Sequence, residues 1–381
     1  MNINLPDPYD IARAEAARIA SNPKQYLDGP YERVQLDSPF VDWPAVTAGL
    51  TAFHQERMAK VPSFTTYPEA QPWVEHALAV DRELQALAGL SDEQMALYRS
   101  LKAYLTFRGF KSVELAPTAA PPLVTEKCRA IYLPVTDQGQ LHVKNVDDPL
   151  TFWKPSPNPA ARMPQPGPLR GDGVGAGLHI DDEPAEIFPL NPKAMMMHYV
   201  DDVPGVVQFL TRYSPFWGSA DNLYYDAQKR CVAIEKTSYN FIDVYGPDPC
   251  GGVHISGMVC RDPESAQAKY VAAKRQEFLT RFNQPADCPD NAYWDGAMAF
   301  EKRLGDFCNR PASPTVAETL ELFTAPTPRG FNKWGAKFHR DQGYLQYTLI
   351  VEAFLHDAHK IYRWQRDAFG VFPCIPEVYQ F

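Results

Sequence analysis

The stretch Cys128–Asp148 restricts the fold more than any other part of this sequence. Two extended runs flank a turn at Asp137-Gln138-Gly139, which is the pattern of a β-hairpin. The second run closes with the segment Lys144–Asp147. A thiol stands at the first residue of the hairpin. If the chain is cut just before Cys128, this thiol and a new α-amino group belong to one residue, so a nucleophile is combined with its own base.

The residues before this hairpin predict helices and then a linker. Asp7-Pro8 is a typical helix start, and Ser91–Gln94 is a capping box in front of apolar residues at helical spacing. The proline-rich segment 115–124 reads as an exposed linker. A break in composition therefore falls immediately before Cys128.

The residues after the hairpin predict further strand pairs and helices, and hence an α+β domain with sheets covered by helices. Six prolines between Lys154 and Arg170 predict a surface loop, and the glycines in Gly171–Gly177 predict a turn. The other predicted elements are a hairpin at Asn222–Glu235, a strand pair at Tyr344–Glu352 and Lys360–Trp364, and helices at Asp202–Tyr213, Ser265–Phe282 and Thr315–Phe323.

Composition excludes several classes of function. The net charge of −9 argues against a nucleic-acid-binding surface, and no apolar run is long enough to span a membrane. The first residues lack the basic and apolar regions of a signal peptide, so we expect a cytoplasmic protein with free thiols. The seven cysteines include no C-x-x-C pair and predict neither a zinc ribbon nor a disulfide framework. The cysteines other than Cys128 are expected to be packing residues.

In this order, the pieces resemble the N-terminal-nucleophile (Ntn) hydrolases, and in particular the isopenicillin-N acyltransferase-like autoproteolytic family, whose relatives include acid ceramidases and choloylglycine (bile-salt) hydrolases. In that family the mature chain begins with a cysteine and a short strand. A second strand ends in a basic residue, an asparagine, an apolar residue and an aspartate, and Lys144–Asp147 stands at that spacing from Cys128. Asn222–Asp226, Ala268–Tyr270 and Gly343–Thr348 are similar to later elements of the family.

The resemblance implies a four-layer αββα sandwich, with residues 1–127 as a helical prosegment and residues 128–381 as the catalytic domain. It implies self-cleavage between Lys127 and Cys128, followed by hydrolysis or transfer of the acyl group of a small-molecule amide or thioester through an acyl-enzyme at Cys128. No cofactor and no metal are implied. The expected partners are this substrate and the cleaved prosegment.

The resemblance also assigns roles to individual residues. Asp147 is expected to hold the new amine, Lys144 to lower the thiol pKa or bind a substrate carboxylate, and Asn222 to donate to the oxyanion. Arg129 and Lys269 are expected to bind substrate. Arg129 stands where the family usually has threonine, and Lys144 and Lys269 stand where it has arginine. The extra positive charge at Arg129 and Lys144 suggests an anionic substrate.

Two alternatives from other classes remain at this point. His179 and Asp181, with the distant His254, have the residue types of the two-histidine, one-carboxylate face of a non-haem iron oxygenase, and Arg261 could hold a 2-oxoacid. The departures at Arg129 and Lys144 also allow a non-catalytic relative that keeps the Ntn fold for binding. The glycines of Gly171–Gly177 do not follow a predicted strand, so a dinucleotide site is not supported.

Overall fold

The structure is a computed structural model of the chain. It describes residues 7–24, 27, 43–60, 71–107, 128–149, 169–173, 200–212, 221–236, 241–256, 260–281, 289–327, 329–332, 336–337, 345–367, 369 and 371–380. The chain divides into two compact units. The first holds helices α1 (Pro8–Ser21), α2 (Trp43–Lys60), α3 (Gln71–Ala88) and α4 (Asp92–Phe107).

The helix starts of the first unit follow the signals in the sequence. Asp7 caps α1 by accepting a hydrogen bond from the backbone N–H of Tyr9, with Pro8 as the first helical residue. Ser91 and Gln94 form the reciprocal bonds of a capping box at the start of α4. Apolar residues of α1, α3 and α4 form the core of this unit: Ala12, Ala16, Ile19, Val80, Leu84 and Met95.

In the part of the second unit that the structure describes, there are two antiparallel sheets and four further helices, which confirms the α+β class. The helices are α5 (Val203–Arg212), α6 (Ala266–Arg281), α7 (Pro289–Cys308) and α8 (Val316–Thr324). The strands are β1 (Arg129–Leu133), β2 (Leu141–Pro149), β3 (Leu169–Gly173), β4 (Asn222–Asp226), β5 (Cys231–Glu235), β6 (Asp243–Tyr245), β7 (Val253–Ser256), β8 (Ala336–Lys337), β9 (Leu345–Leu355), β10 (Lys360–Gln365) and β11 (Glu377–Gln380). The larger sheet has the order β11-β10-β9-β2-β1-β7, with β8 paired to β9, and the smaller sheet has the order β3-β4-β5-β6.

The two faces of strand β1 define three layers. Side chains alternate along a strand, so Ile131 and Leu133 share one face, where they pack with residues of α7 and α8. Ala130 and Tyr132 share the opposite face and pack against the smaller sheet. Helices α7 and α8, the larger sheet and the smaller sheet therefore lie in this order, and β1 is buried on both sides.

The structure confirms the hairpins read from the sequence. Strands β1 and β2 pair with Arg129 opposite Asn145, and the turn residue Gly139 has a φ of 95°. The hairpin β4–β5 and the pair β9–β10 also form where predicted. Within the described residues, no helix is long and apolar enough to cross a membrane.

Two sequence interpretations need correction. Leu169–Gly173 was expected to be the end of a loop and the start of a turn, but it is strand β3 and pairs with β4 along its whole length. Pairing with a strand about fifty residues away overrides the weak local β-propensity of its glycines. Helix α7 was not recognised. The remainder of the predicted loop, 154–168, and the rest of the predicted glycine turn, 174–177, lie outside the described residues.

Candidate active site

Cys128 lies at the entrance to the layer between the two sheets. It immediately precedes β1, and its half-buried side chain packs at the border of the apolar cluster formed by Ala130, Tyr132, Leu223 and Val253. The other described cysteines, except the exposed Cys374, are buried. A thiol that is partly open and fixed at a strand start is the arrangement that a nucleophile requires.

The backbone next to Cys128 is anchored by a chain of buried polar groups. The N–H of Arg129 donates to Asn145 Oδ1 over 2.6 Å, and Asn145 Nδ2 donates to Asp147 Oδ1 over 2.7 Å. Thr348 Oγ1, on β9, donates to the same Asp147 oxygen over 2.8 Å. Three strands thus hold the first peptide of β1 in place. Asn145 and Thr348 act as positioning residues, a role that the sequence did not assign to them although both belong to its family-like segments.

A β-bulge aligns Thr348 with Asp147. The pairing of β2 with β9 passes from Val146 opposite Ile350 to Asp147 opposite Thr348, so Leu349 is the extra residue and the bulge lies in β9. Without this bulge, Leu349 instead of Thr348 would stand opposite Asp147. The bulge lies opposite the end of the Lys144–Asp147 motif, so this motif marks the place where the two strands leave regular pairing.

Arg129 does not occupy the place expected of a substrate-binding residue. Its side chain is fully buried, and Nη1 contacts Asp147 Oδ2 at 3.2 Å. Its guanidinium lies 4.6 Å from the ring centre of Phe300 and 5.3 Å from that of Phe331, on the face of the sheet that α7 and α8 cover. Residue 129 points away from the thiol because neighbouring residues of a strand face opposite sides. Of the two positive charges that suggested an anionic substrate, that of Arg129 is thus paired inside the protein.

Lys144 lies on a strand face directed towards the layer that Cys128 borders, whereas Asn222 lies on a strand face directed away from it. Lys144 is half-buried and stands opposite Ala130, on the face of the larger sheet that Cys128 borders. In β4, Leu223 and Tyr225 face the larger sheet, so alternation puts Asn222 on the opposite face. Strand geometry therefore does not favour Asn222 as an oxyanion donor beside Cys128. Its buried Nδ2 makes no hydrogen bond with any other residue that the structure describes.

Other expected site residues lie at the surface or outside the described part of the chain. Lys269 is two-thirds exposed on α6 and pairs with Glu264 at 3.5 Å, which is the behaviour of a solvated helix residue rather than of a substrate ligand. Lys127, His179 and Asp181 are outside the described residues, so the structure shows neither the cleavage site nor the three-ligand iron face. Arg261, the expected 2-oxoacid ligand, is instead paired with Asp248.

A second polar group lies between the sheets at the far end of β1. Tyr225 stacks on Tyr132 with ring centres 4.0 Å apart, and its hydroxyl contacts His356 Nε2 at 3.0 Å and His142 Nδ1 at 3.4 Å. Burial and, to a smaller extent, the neighbouring Arg170 guanidinium together lower the pKa of His356 to about 3. His356 is therefore neutral near pH 7. No sequence pattern indicated this group, because its members come together only through sheet packing.

Comparison with known proteins gives distant matches. Two solved structures of conjugated bile acid hydrolase from Clostridium perfringens, both of mutated forms, are similar to the chain. One is 10% identical with a TM-score of 0.38, covering 67% of this chain and 92% of that chain. The other is 9% identical with a TM-score of 0.30, covering 68% and 86%. No family model matches the chain. No curated protein matches it. At these scores the likeness does not establish the family.

Proposed function

We propose that this protein is an Ntn-type amide hydrolase that cuts its own chain before Cys128 and then acts through the thiol and the new α-amine of that residue. The observation that carries the proposal is the anchored start of β1. The half-buried Cys128 precedes a peptide whose N–H is bound by Asn145, and Asn145 is in turn bound by Asp147. Such a network holds the backbone of a nucleophile still while its thiol stays open to a ligand.

Self-cleavage requires only the thiol and water. The Cys128 thiol attacks the carbonyl carbon of Lys127, a C–S bond forms and the C–N bond of this peptide breaks. The departing nitrogen takes up the thiol proton and becomes the α-amine. Water then cleaves the thioester, which leaves a carboxylate on Lys127 and restores the thiol.

Substrate hydrolysis repeats this chemistry on an external amide. The α-amine of Cys128 accepts the thiol proton, the thiolate attacks the amide carbonyl, and the proton passes to the leaving amine. Water or a second amine then takes the acyl group from the thioester. In this proposal the Lys144 ammonium favours the thiolate, and Asp147 balances the charge of the protonated α-amine.

We also infer the fourth layer of the sandwich. Tyr224, Val232 and Ile234 lie on the outer face of the smaller sheet and are buried, so this face is covered. The amphipathic helix α5 has a buried apolar side at Val206 and Leu210. We assign α5 and α6 to this cover, which completes an αββα order.

The mass of the purified protein tests the proposal. We expect two fragments, residues 1–127 and 128–381, for the wild type and for the control variant Cys374→Ser. Cys128→Ala should remain a single chain. Asn145→Ala should cleave more slowly, because the peptide after Cys128 loses its anchor. An intact wild-type chain after long incubation at neutral pH would refute self-cleavage.

One observation favours a second candidate, a non-catalytic protein that uses the same fold for binding. Both oxygens of Asp147 already accept hydrogen bonds, from Asn145, Thr348 and Arg129. A carboxylate committed to structure in this way has less capacity to hold an amine. This candidate predicts an uncut wild-type chain that is as stable as Cys128→Ala.

A further inference from the structure

Four side chains of metal-ligand type meet at the edge of the larger sheet. Only one of them, His254, was a candidate ligand from the sequence, and with other partners. Asp248 and Cys250 belong to the tight turn before β7, His254 lies on β7, and Cys308 is the last residue of α7. All four are more than nine-tenths buried. Buried groups of this kind are expensive unless they are paired or bind a metal.

The ligand atoms of these side chains are close enough to share one ion. One atom each from Asp248, His254 and Cys308 lie within 4.8 Å of one another. Cys250 adjoins them, because its backbone N–H donates to the carbonyl of Cys308 over 3.1 Å and the two thiols are hydrogen-bonded. With the adjoining Cys250 thiolate as the fourth, the group has four donors, the number that zinc takes in structural sites.

The neighbours of these side chains match the outer shell of a metal site. His254 Nδ1 faces Asp248 Oδ2 at 2.8 Å, while Nε2 contacts Glu301 Oε1 at 3.3 Å. A histidine that binds zinc through one nitrogen commonly donates the other N–H to a carboxylate. The second oxygen of Asp248 contacts Arg261. Glu301 thus orients His254, and Arg261 orients Asp248.

We propose that Asp248, Cys250, His254 and Cys308 form a closed zinc site. Two thiolates, one carboxylate and Zn²⁺ sum to one negative charge, which the Arg261 guanidinium beside Asp248 neutralises. With four protein ligands no position is open to a substrate, so the role is structural. The ion connects the turn before β7 and the end of α7 to strand β7. Strand β7 in turn pairs with β1, with His254 opposite Ile131.

Without metal, Arg261, Asp248, His254 and Glu301 form a polar network in which both ring nitrogens of His254 face carboxylates. The zinc site and this network predict different behaviour. Reduced protein as purified, stripped with a chelator, is titrated with Co²⁺, whose bonds to thiolates give a charge-transfer band in the near ultraviolet. We expect saturation at about one equivalent in the wild type. Cys374→Ser and Cys128→Ala should behave in the same way, because neither residue belongs to the site.

Two variants test the ligands and their support. Cys308→Ser should lose most of the charge-transfer band, and Glu301→Gln should keep it but bind about 10–100-fold more weakly. Wild-type protein that shows no band, and whose thermal midpoint does not rise when Zn²⁺ is added, would overturn the proposal and leave the polar network. Because the wild-type titration and Glu301→Gln suffice for this decision, the test stands even if Cys308→Ser does not fold.

Discussion

Replacing Arg129 by methionine tests whether this residue supports the fold or binds substrate. Its side chain and that of Asp147 are both fully buried, and they pair at 3.2 Å. Methionine keeps much of the length of the side chain and can still contact the rings of Phe300 and Phe331, so the change removes mainly the charge. Asp147 is then a buried carboxylate without its guanidinium partner.

The expected loss follows from this burial. Breaking a buried ion pair by removing one partner costs about 3–5 kcal/mol, because the other charge remains without compensation. This is a large fraction of the total stability of about 5–15 kcal/mol that a domain has. The double variant Arg129→Met/Asp147→Asn should lose less than Arg129→Met alone, because the neutral amide keeps an acceptor oxygen for Asn145 and Thr348.

The measurement is the free energy of unfolding from urea titrations, made in the Cys128→Ala chain so that self-cleavage does not contribute. Arg310→Met is the matched control, because Arg310 pairs with Glu318 at 3.1 Å near the surface, and an exposed pair contributes about 1 kcal/mol or less. Two results would refute the pairing of Arg129 with Asp147 as the source of this stability. One is an Arg129→Met loss no larger than that of the control, and the other is a double variant that loses as much as Arg129→Met or more.

Two further predictions concern pH and backbone conformation. With a pKa of about 3 when folded and near 6.5 when unfolded, His356 contributes stability that is complete above pH 6.5 and is lost as the pH falls towards 3. Lowering the pH from 7.5 to 5.0 should therefore reduce the free energy of unfolding by about 2 kcal/mol more in the wild type than in His356→Gln. Urea denaturation measures this difference, and an equal loss in both proteins would contradict the assignment to His356. Gly139→Ala should destabilise the protein by more than about 1 kcal/mol, because φ is 95° and an added Cβ would collide with Asp357. The control Gly305→Ala, inside α7, should be neutral or stabilise the protein by up to about 1 kcal/mol. Thermal or urea denaturation of the two variants compares them directly.

The parts of the fold that the sequence predicted are those that local chemistry determines. The hairpin after Cys128 and the hairpin Asn222–Glu235 carry their own turn residues, and Asp7 and Ser91 cap helices within three residues of themselves. Strand β3 was missed for the opposite reason. Its glycines have little β-propensity, and only the distant partner β4 makes it a strand.

The candidate site shows the same division. Cys128 and Asp147 could be selected from spacing, since both belong to one hairpin. The burial of Arg129 could not, because it depends on which face of β1 the helices cover, and α7 and α8 are far away in the chain. Likewise His142 and His356 meet Tyr225 only when the two sheets pack. A sequence pattern orders residues along a strand, but the tertiary fold decides which side becomes the active site.

The network around Asp147 also implies an order of events. Its members come from β1, β2 and β9, and Thr348 is separated from Asp147 by 201 positions along the chain. The peptide after Cys128 cannot be anchored until these strands have paired. If self-cleavage needs that anchor, as we propose, the cut occurs only after the larger sheet has formed. The rate of cleavage is then a measure of sheet formation. Variants that weaken the sheet, such as Arg129→Met, should then slow the cut even though Arg129 does not touch the thiol.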